Sequence, residues 1–276
     1  MLRPTTLPKE KEKIAEKRIE EFSNISNQEL KKLSNSVKDK KIYRAISKIV
    51  FDSSDMLPKR GSRPSIRLPY LANQLSGYHS ENEYNLPLIR FSLLYMEYYD
   101  IIDDIIDEDY NPDYRREVII SSQIILPLMI EILDSLSGPT VQYWSNHLKR
   151  MVSSPVYELA NNCTIDNYLS IVDYQAEMGG ILCGLAVMDA GGTADAVTYG
   201  WELGSTYYKY EQFILDYIQY KNGQIENWNL CELTSLYEAE RYMETTRSIF
   251  VDKLSQYGDH FSNCVKPLVY VDLDSI

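Results

Sequence analysis

The chain has 276 residues, of which 44% are hydrophobic and 25% charged, and its 28 Lys+Arg against 40 Asp+Glu give a formal net charge of −12. That length accommodates one large or two small domains with a sizeable core. The acidic balance excludes binding along a nucleic-acid phosphate backbone, which requires clustered positive charge, but is compatible with a small anion bridged by a metal or local cations. The four cysteines, Cys163, Cys183, Cys231 and Cys264, show no CxxC spacing. They are therefore expected as buried thiols in a reducing compartment rather than as a zinc site. The three histidines, His79, His147 and His260, form no sequence cluster and none is expected to be catalytic. With no secretory signal at the N-terminus and no apolar run of membrane-spanning length, the expected location is the cytoplasm.

In chain order, KEKEKIAEKRIEEF alternates acids and bases at helical spacing, which predicts a solvated helix within an N-terminal extension, residues 1–40. Residues 41–276 are expected to form one helical domain. Apolar residues at helical spacing continue over 27–51, and MLPKRGSRPSIRLP then makes a basic, Pro-containing break. LPLIRFSLLYMEYYDIIDDIIDED predicts a long helix entered at Pro87 and left at Asn111. Further helices are expected over RREVIISSQIILPLMIEILDSL, over IDNYLSIVDYQAEMGGILCGLAVMDAGG, over AVTYGWELGSTYYKYEQFILDYIQYKNG and over LTSLYEAERYMETTRSIFVDKLSQYG. In the second of these, Ala176, Gly179, Gly180 and Gly184 permit close helix approach, and Gly223 ends the third as a C-cap. No segment alternates as a strand would, so the fold class is all-α in a single domain.

The segment DIIDDIIDED, residues 100–109, holds six acids in ten residues. At about 100° per residue, Asp100, Asp103, Asp104 and Asp107 form one stripe and Ile101, Ile102, Ile105 and Ile106 the opposite one. The isoleucines are expected to anchor the helix in the core. Adjacent carboxylates repel, and partial burial raises their pKa values unless cations neutralise them. Magnesium is the natural partner, because it takes oxygen ligands and shares them with substrate phosphates.

DDIID (Asp103, Asp104, Asp107) resembles the first aspartate-rich motif, DDxxD, of the trans-prenyltransferases, or polyprenyl synthetases. The resemblance implies an all-α isoprenoid-synthase bundle around a central cavity, in which magnesium ions hold an allylic prenyl diphosphate. Other landmarks follow in order, with departures. KRGSRP resembles the family's diphosphate-binding GKRxRP and implies that role for Lys59, Arg60 and Arg63, with a second register through Arg67. Arg115 and Arg116 resemble the RRG that follows the first motif, although Glu117 replaces its glycine. Gln175 and Ala176 stand where the family has a Lys-Thr pair, so one phosphate-binding cation is missing there and Gln175 takes its place. QFILDY resembles the second motif, DDxxDY, with Gln212 and Phe213 in place of two aspartates. Gln212 and Asp216, at i,i+4, are the implied second metal set, and Glu211 lies off their face. Tyr98 and Tyr99, just before the first motif, imply a shortened cavity and a short prenyl donor.

The implied reaction is Mg2+-dependent ionisation of a short allylic prenyl diphosphate and transfer of the prenyl group, by an enzyme that is usually a homodimer. The acceptor stays open between isopentenyl diphosphate and a tryptophan on a small peptide, as in the similar ComQ-type pheromone prenyltransferases. Cyclisation, as in terpene synthases, and a catalytically silent subunit of a prenyl diphosphate synthase are further alternatives.

Overall fold

A computed structural model describes residues 9–36, 40, 66–77, 84–224 and 227–270. The helices in these residues are α1 Lys9–Ser36, α2 Arg67–Leu75, α3 Leu86–Ile106, α4 Arg115–Ser135, α5 Thr140–Met151 and α6 Ser153–Ala160. They continue with α7 Ile165–Gln175, α8 Glu177–Asp189, α9 Ala194–Lys221, α10 Leu230–Leu233, α11 Leu236–Leu254 and α12 Asp259–Val265. There is no strand among the described residues.

The sequence of α8, EMGGILCGLAVMD, has no polar face, and a helix that is apolar all round must be enclosed. Accordingly Ile181, Leu182, Cys183, Leu185 and Ala186 are fully buried, and α2, α3, α5, α7 and α9 pack around them. The small residues permit the closest of these contacts. A Cβ on Gly179 would lie 2.2 Å from the Gly204 carbonyl oxygen, and one on Gly204 would lie 2.1 Å from that of Gly179. The α8 and α9 backbones therefore touch directly. At Gly223, φ of +72° follows the α9 C-cap Asn222, a conformation glycine adopts without a Cβ clash.

The expected solvated character of the N-terminal helix is corrected. Phe22 and Leu30 of α1 are buried, Phe22 meets Tyr70 edge-on at 5.5 Å, and the buried Glu29 accepts from Arg90 at 2.6 Å and Lys32 at 2.6 Å. The charge-rich pattern hid an apolar stripe that packs on α2 and α3. Likewise, the helix expected over 165–189 is broken at Ala176 into α7 and α8. Two stretches do reach the length and apolarity of a membrane span, contrary to expectation: Pro112–Ser135 and Ile165–Asp189. The second is a core helix pair, 72% buried, so its apolarity is spent inside the protein; the first is only 33% buried. All four cysteines are free, but Cys163 is exposed, not buried.

Candidate functional site

Asn85 caps α3 by accepting from the Leu88 amide at 3.1 Å, and Pro87 sits in the first turn, where a missing N–H costs nothing. The helix ends within the acidic segment rather than beyond it. Asp107 is its C-cap, Glu108 takes the left-handed conformation at φ 59°, and the Asp109 amide turns back to the Asp104 carbonyl at 2.8 Å. The isoleucines divide: Ile101 is fully buried, Ile102 and Ile105 are half-buried, and Ile106 is 43% exposed, which corrects the expectation that all four anchor the core.

This placement is electrostatically adverse. A helix C-terminus carries partial negative charge and favours cations, yet the last turn of α3 holds no base and is followed by more acids. Asp103 reaches solvent but is hemmed in by protein. That burial, then Asp107, Glu158, Asp100 and Asp104, pushes its carboxyl up to about 7. Glu158 of α6 was not singled out in the sequence. Burial and then Asp107 push its own carboxyl up, so it faces the same cluster from another helix.

These are hard oxygen donors whose mutual repulsion a divalent cation would relieve, and their chemistry fits magnesium. Among the described residues, no three His, Cys, Asp or Glu side chains converge into a ready-made cage. An ion here would therefore keep several waters, as magnesium does.

Asp216 is different. It is buried, and its oxygens are taken by protein donors: Gln212 Nε2 at 2.8 Å on Oδ1, and Tyr168 Oη at 2.5 Å and the Leu230 amide at 2.7 Å on Oδ2. Burial, then Asp216, pushes the Tyr168 phenol up, which keeps it a donor. Gln212 and Asp216, expected as the second metal set, are joined to each other, and through Asp216 the pair ties α9 to α7 and to the start of α10. The sequence missed this because the two other donors come from Tyr168 and a backbone amide distant in the chain.

Burial raises the phenol of Tyr208 of α9, and the charges of Asp103, Glu211, Asp100 and Asp216 raise it further. Gln175 is half-buried at the end of α7, and Arg115 and Arg116 are exposed at the N-terminus of α4. Tyr98 and Tyr99 are half-buried, edge-on to each other at 5.1 Å, and Tyr99 meets the buried Tyr95 at 4.9 Å. Lys59, Arg60 and Arg63 lie outside the described residues. Arg67, the alternative register, is exposed at the start of α2.

One cluster escaped sequence reasoning altogether. Glu177, first residue of α8, is 1% exposed. Its carboxylate meets His147 Nδ1 at 2.9 Å, Arg150 Nε at 2.9 Å and Trp201 Nε1 at 3.0 Å. His147 thus has an orienting acid that spacing along the chain did not disclose. The cluster ties α5, α8 and α9 beside the break that ends α7.

With this geometry in view, the fold is that of the isoprenoid synthases. The chain is similar to a geranyltranstransferase from Methanosarcina mazei at 12% identity, covering 92% of this chain and 97% of that one with a TM-score of 0.71. It is also similar to a polyprenyl synthetase from Streptomyces coelicolor A3(2), at 9% identity, 92% and 98% coverage and a TM-score of 0.73. A geranyltransferase from Legionella pneumophila gives 17%, 93% and 96%, and 0.67. No protein-family model and no curated protein sequence matches the chain. At such identities the likeness establishes the all-α trans-prenyltransferase fold over nearly the whole chain.

Proposed function

We propose that the protein is a Mg2+-dependent prenyltransferase that ionises a short allylic prenyl diphosphate. The observation that carries this reading is the crowding of Asp103 by Asp100, Asp104, Asp107 and Glu158 at the end of α3, within a prenyl-synthase fold. Such a cluster has a chemical reason if its charge is offset by a metal–diphosphate pair. When bound, magnesium supplies charge neutralisation of the leaving diphosphate. Asp103, Asp104 and Asp107 would hold it, and Arg115 and Arg116 offer guanidinium forks for phosphate oxygens. Tyr98, Tyr99 and Tyr208, each half-buried, offer aromatic surface that would shield a developing cation from water.

Isopentenyl diphosphate is the acceptor the fold neighbours suggest. A second reading, transfer to a side chain of a small peptide, is favoured by one observation: the carboxylate of Asp216 is engaged within the protein, which leaves the second motif poorly equipped to hold a second diphosphate. Incubation with magnesium and labelled geranyl or farnesyl diphosphate, with and without isopentenyl diphosphate, distinguishes these by product. Absence of diphosphate release with every acceptor would leave the silent-subunit alternative. Asp103→Ala and Asp107→Ala are each expected to lower turnover by at least about a hundredfold; near-normal rates in both would remove the metal-site assignment.

The assembly that fits is a homodimer in the cytoplasm. Ile119, Ile120 and Ile130 of α4 are 39–55% exposed within a stretch that has no charged residue between Glu117 and Glu131, and in an acidic chain such a face is the one best suited to meet its own copy.

A further inference from the structure

Between α1 and α3 lies a cavity of about 80 Å³. Its polar lining includes Ser26 and Asn27 of α1 and Glu97 of α3, and its apolar lining includes Leu30, Leu93 and Met96. Ser26 is 2% exposed, and its Oγ has no hydrogen-bond partner. A buried hydroxyl in that state costs free energy unless something in the cavity meets it. Glu97 is 3% exposed and brings a carboxylate to the same space.

Charge along α3 decides what that something is. Leu93, Glu97, Asp100 and Asp104 stand at i, i+4, i+7 and i+11 and so share one face of the helix. The cavity therefore adjoins the acid stripe, with Asp104 about 10 Å along the axis from Glu97. In the other direction, Arg90 stands seven residues before Glu97 on the same face, and its guanidinium donates to Glu29 at 2.8 and 2.6 Å. Carboxylates on the cavity wall, and one and two turns beyond it, attract a cation and repel an anion. A metal ion suits the cavity poorly, because Leu30, Leu93 and Met96 offer it no oxygen. A primary ammonium on a short alkyl stem suits both kinds of lining. Its three N–H donors match Glu97, Ser26 and Asn27, and its methylenes match the apolar wall. On the scale by which a cavity of about 150 Å³ admits benzene, the space holds about three non-hydrogen atoms.

We propose that this cavity binds a free short-chain primary alkylammonium ion, with its head on Glu97 and Ser26. Its occupancy does not require a diphosphate on α3.

The test is a ligand-observed NMR titration of ethylammonium chloride into the full chain, in chelator and at constant ionic strength. A dissociation constant of roughly ten millimolar is expected for so few atoms. Ethanol and acetate, similar in size but without the positive charge, are expected to bind at least about tenfold more weakly. So is Nα-acetyl-lysine amide, whose stem is longer than the cavity accommodates; equal binding would place the ammonium on a peptide and overturn the assignment to a free amine. Ser26→Leu fills the space, Glu97→Gln removes the charge, and each is expected to weaken ethylammonium binding at least about tenfold. Asp103→Asn is expected to change it by less than about twofold, since water and salt screen that more distant charge. No saturable binding by the wild-type chain, equal binding of ethanol or acetate, unchanged affinity in Ser26→Leu, or a loss in Asp103→Asn as large as in Glu97→Gln each overturns the proposal. Melting curves check that the variants fold, and Ser26→Leu, which keeps the carboxylate, carries the test if Glu97→Gln does not.

Discussion

At the scale of single residues, carboxylates of similar appearance in the sequence have opposite roles. Asp103 is crowded by other acids, whereas Asp216 is surrounded by donors. The signs of their contributions follow. The Asp103 carboxyl lies near 7, above its value in the unfolded chain, so the native state binds more protons than the unfolded state between about pH 4 and 7. Stability without metal should therefore fall as pH rises through that window. Asp103→Asn is expected to remove the fall, by ~1 kcal/mol after discounting for solvent screening and thus about 2–4 °C in melting temperature at pH 8. Thermal melts of both proteins at pH 5 and 8, in chelator, check this; an unchanged difference between the two pH values sinks it. Asp216→Ala leaves the Tyr168 hydroxyl, the Leu230 amide and the Gln212 amide without their acceptor in a buried site. A loss of about 3 kcal/mol is expected in denaturant titration. Asp103 could be read from DDIID itself, but the role of Asp216 could not, because its partners lie 48 and 14 residues away.

At the scale of elements, periodicity identified most of the helices, and physical context set their ends. The α7–α8 pair reads as one helix by pattern, yet it breaks at Ala176, beside Glu177 and its contacts to His147, Arg150 and Trp201. The small residues Gly179, Gly180 and Gly184 were legible as a close-packing signal. Their partners were not, since Gly204, Trp201 and Tyr143 belong to other helices. Gly204→Ala would set a methyl group 2.1 Å from the Gly179 carbonyl oxygen, a contact with backbone rather than with a movable side chain. The α8 and α9 helices would have to separate, and a destabilisation of about 2–3 kcal/mol is expected. Equilibrium unfolding measures it, and a loss below about 0.5 kcal/mol would mean that the two helices yield easily.

At the scale of the whole molecule, the question is what covers α4. Its inner face, Val118, Ile125, Met129 and Leu133, is fully buried against the bundle, while Ile119, Ile120 and Ile130 face outward. A second copy covering this face would explain why the helix is apolar on both sides. Ile120→Glu with Ile130→Glu is expected to shift the protein from dimer to monomer in sedimentation velocity while preserving its helical circular dichroism. A wild-type monomer at tens of micromolar, an ordinary working concentration for such associations, would show that the face has another use.

The sequence by itself determined the helical class, the first acidic motif and the departures at Gln175 and Gln212, because periodicity, local charge crowding and residue identity are properties of neighbours along the chain. Only the tertiary structure decided which charges meet. Glu158 beside Asp107, Tyr168 on Asp216, His147 on Glu177 and Lys209 on Asp173 all join different helices. Coulomb energy depends on distance in space and on burial, and neither is encoded at a fixed spacing in the sequence.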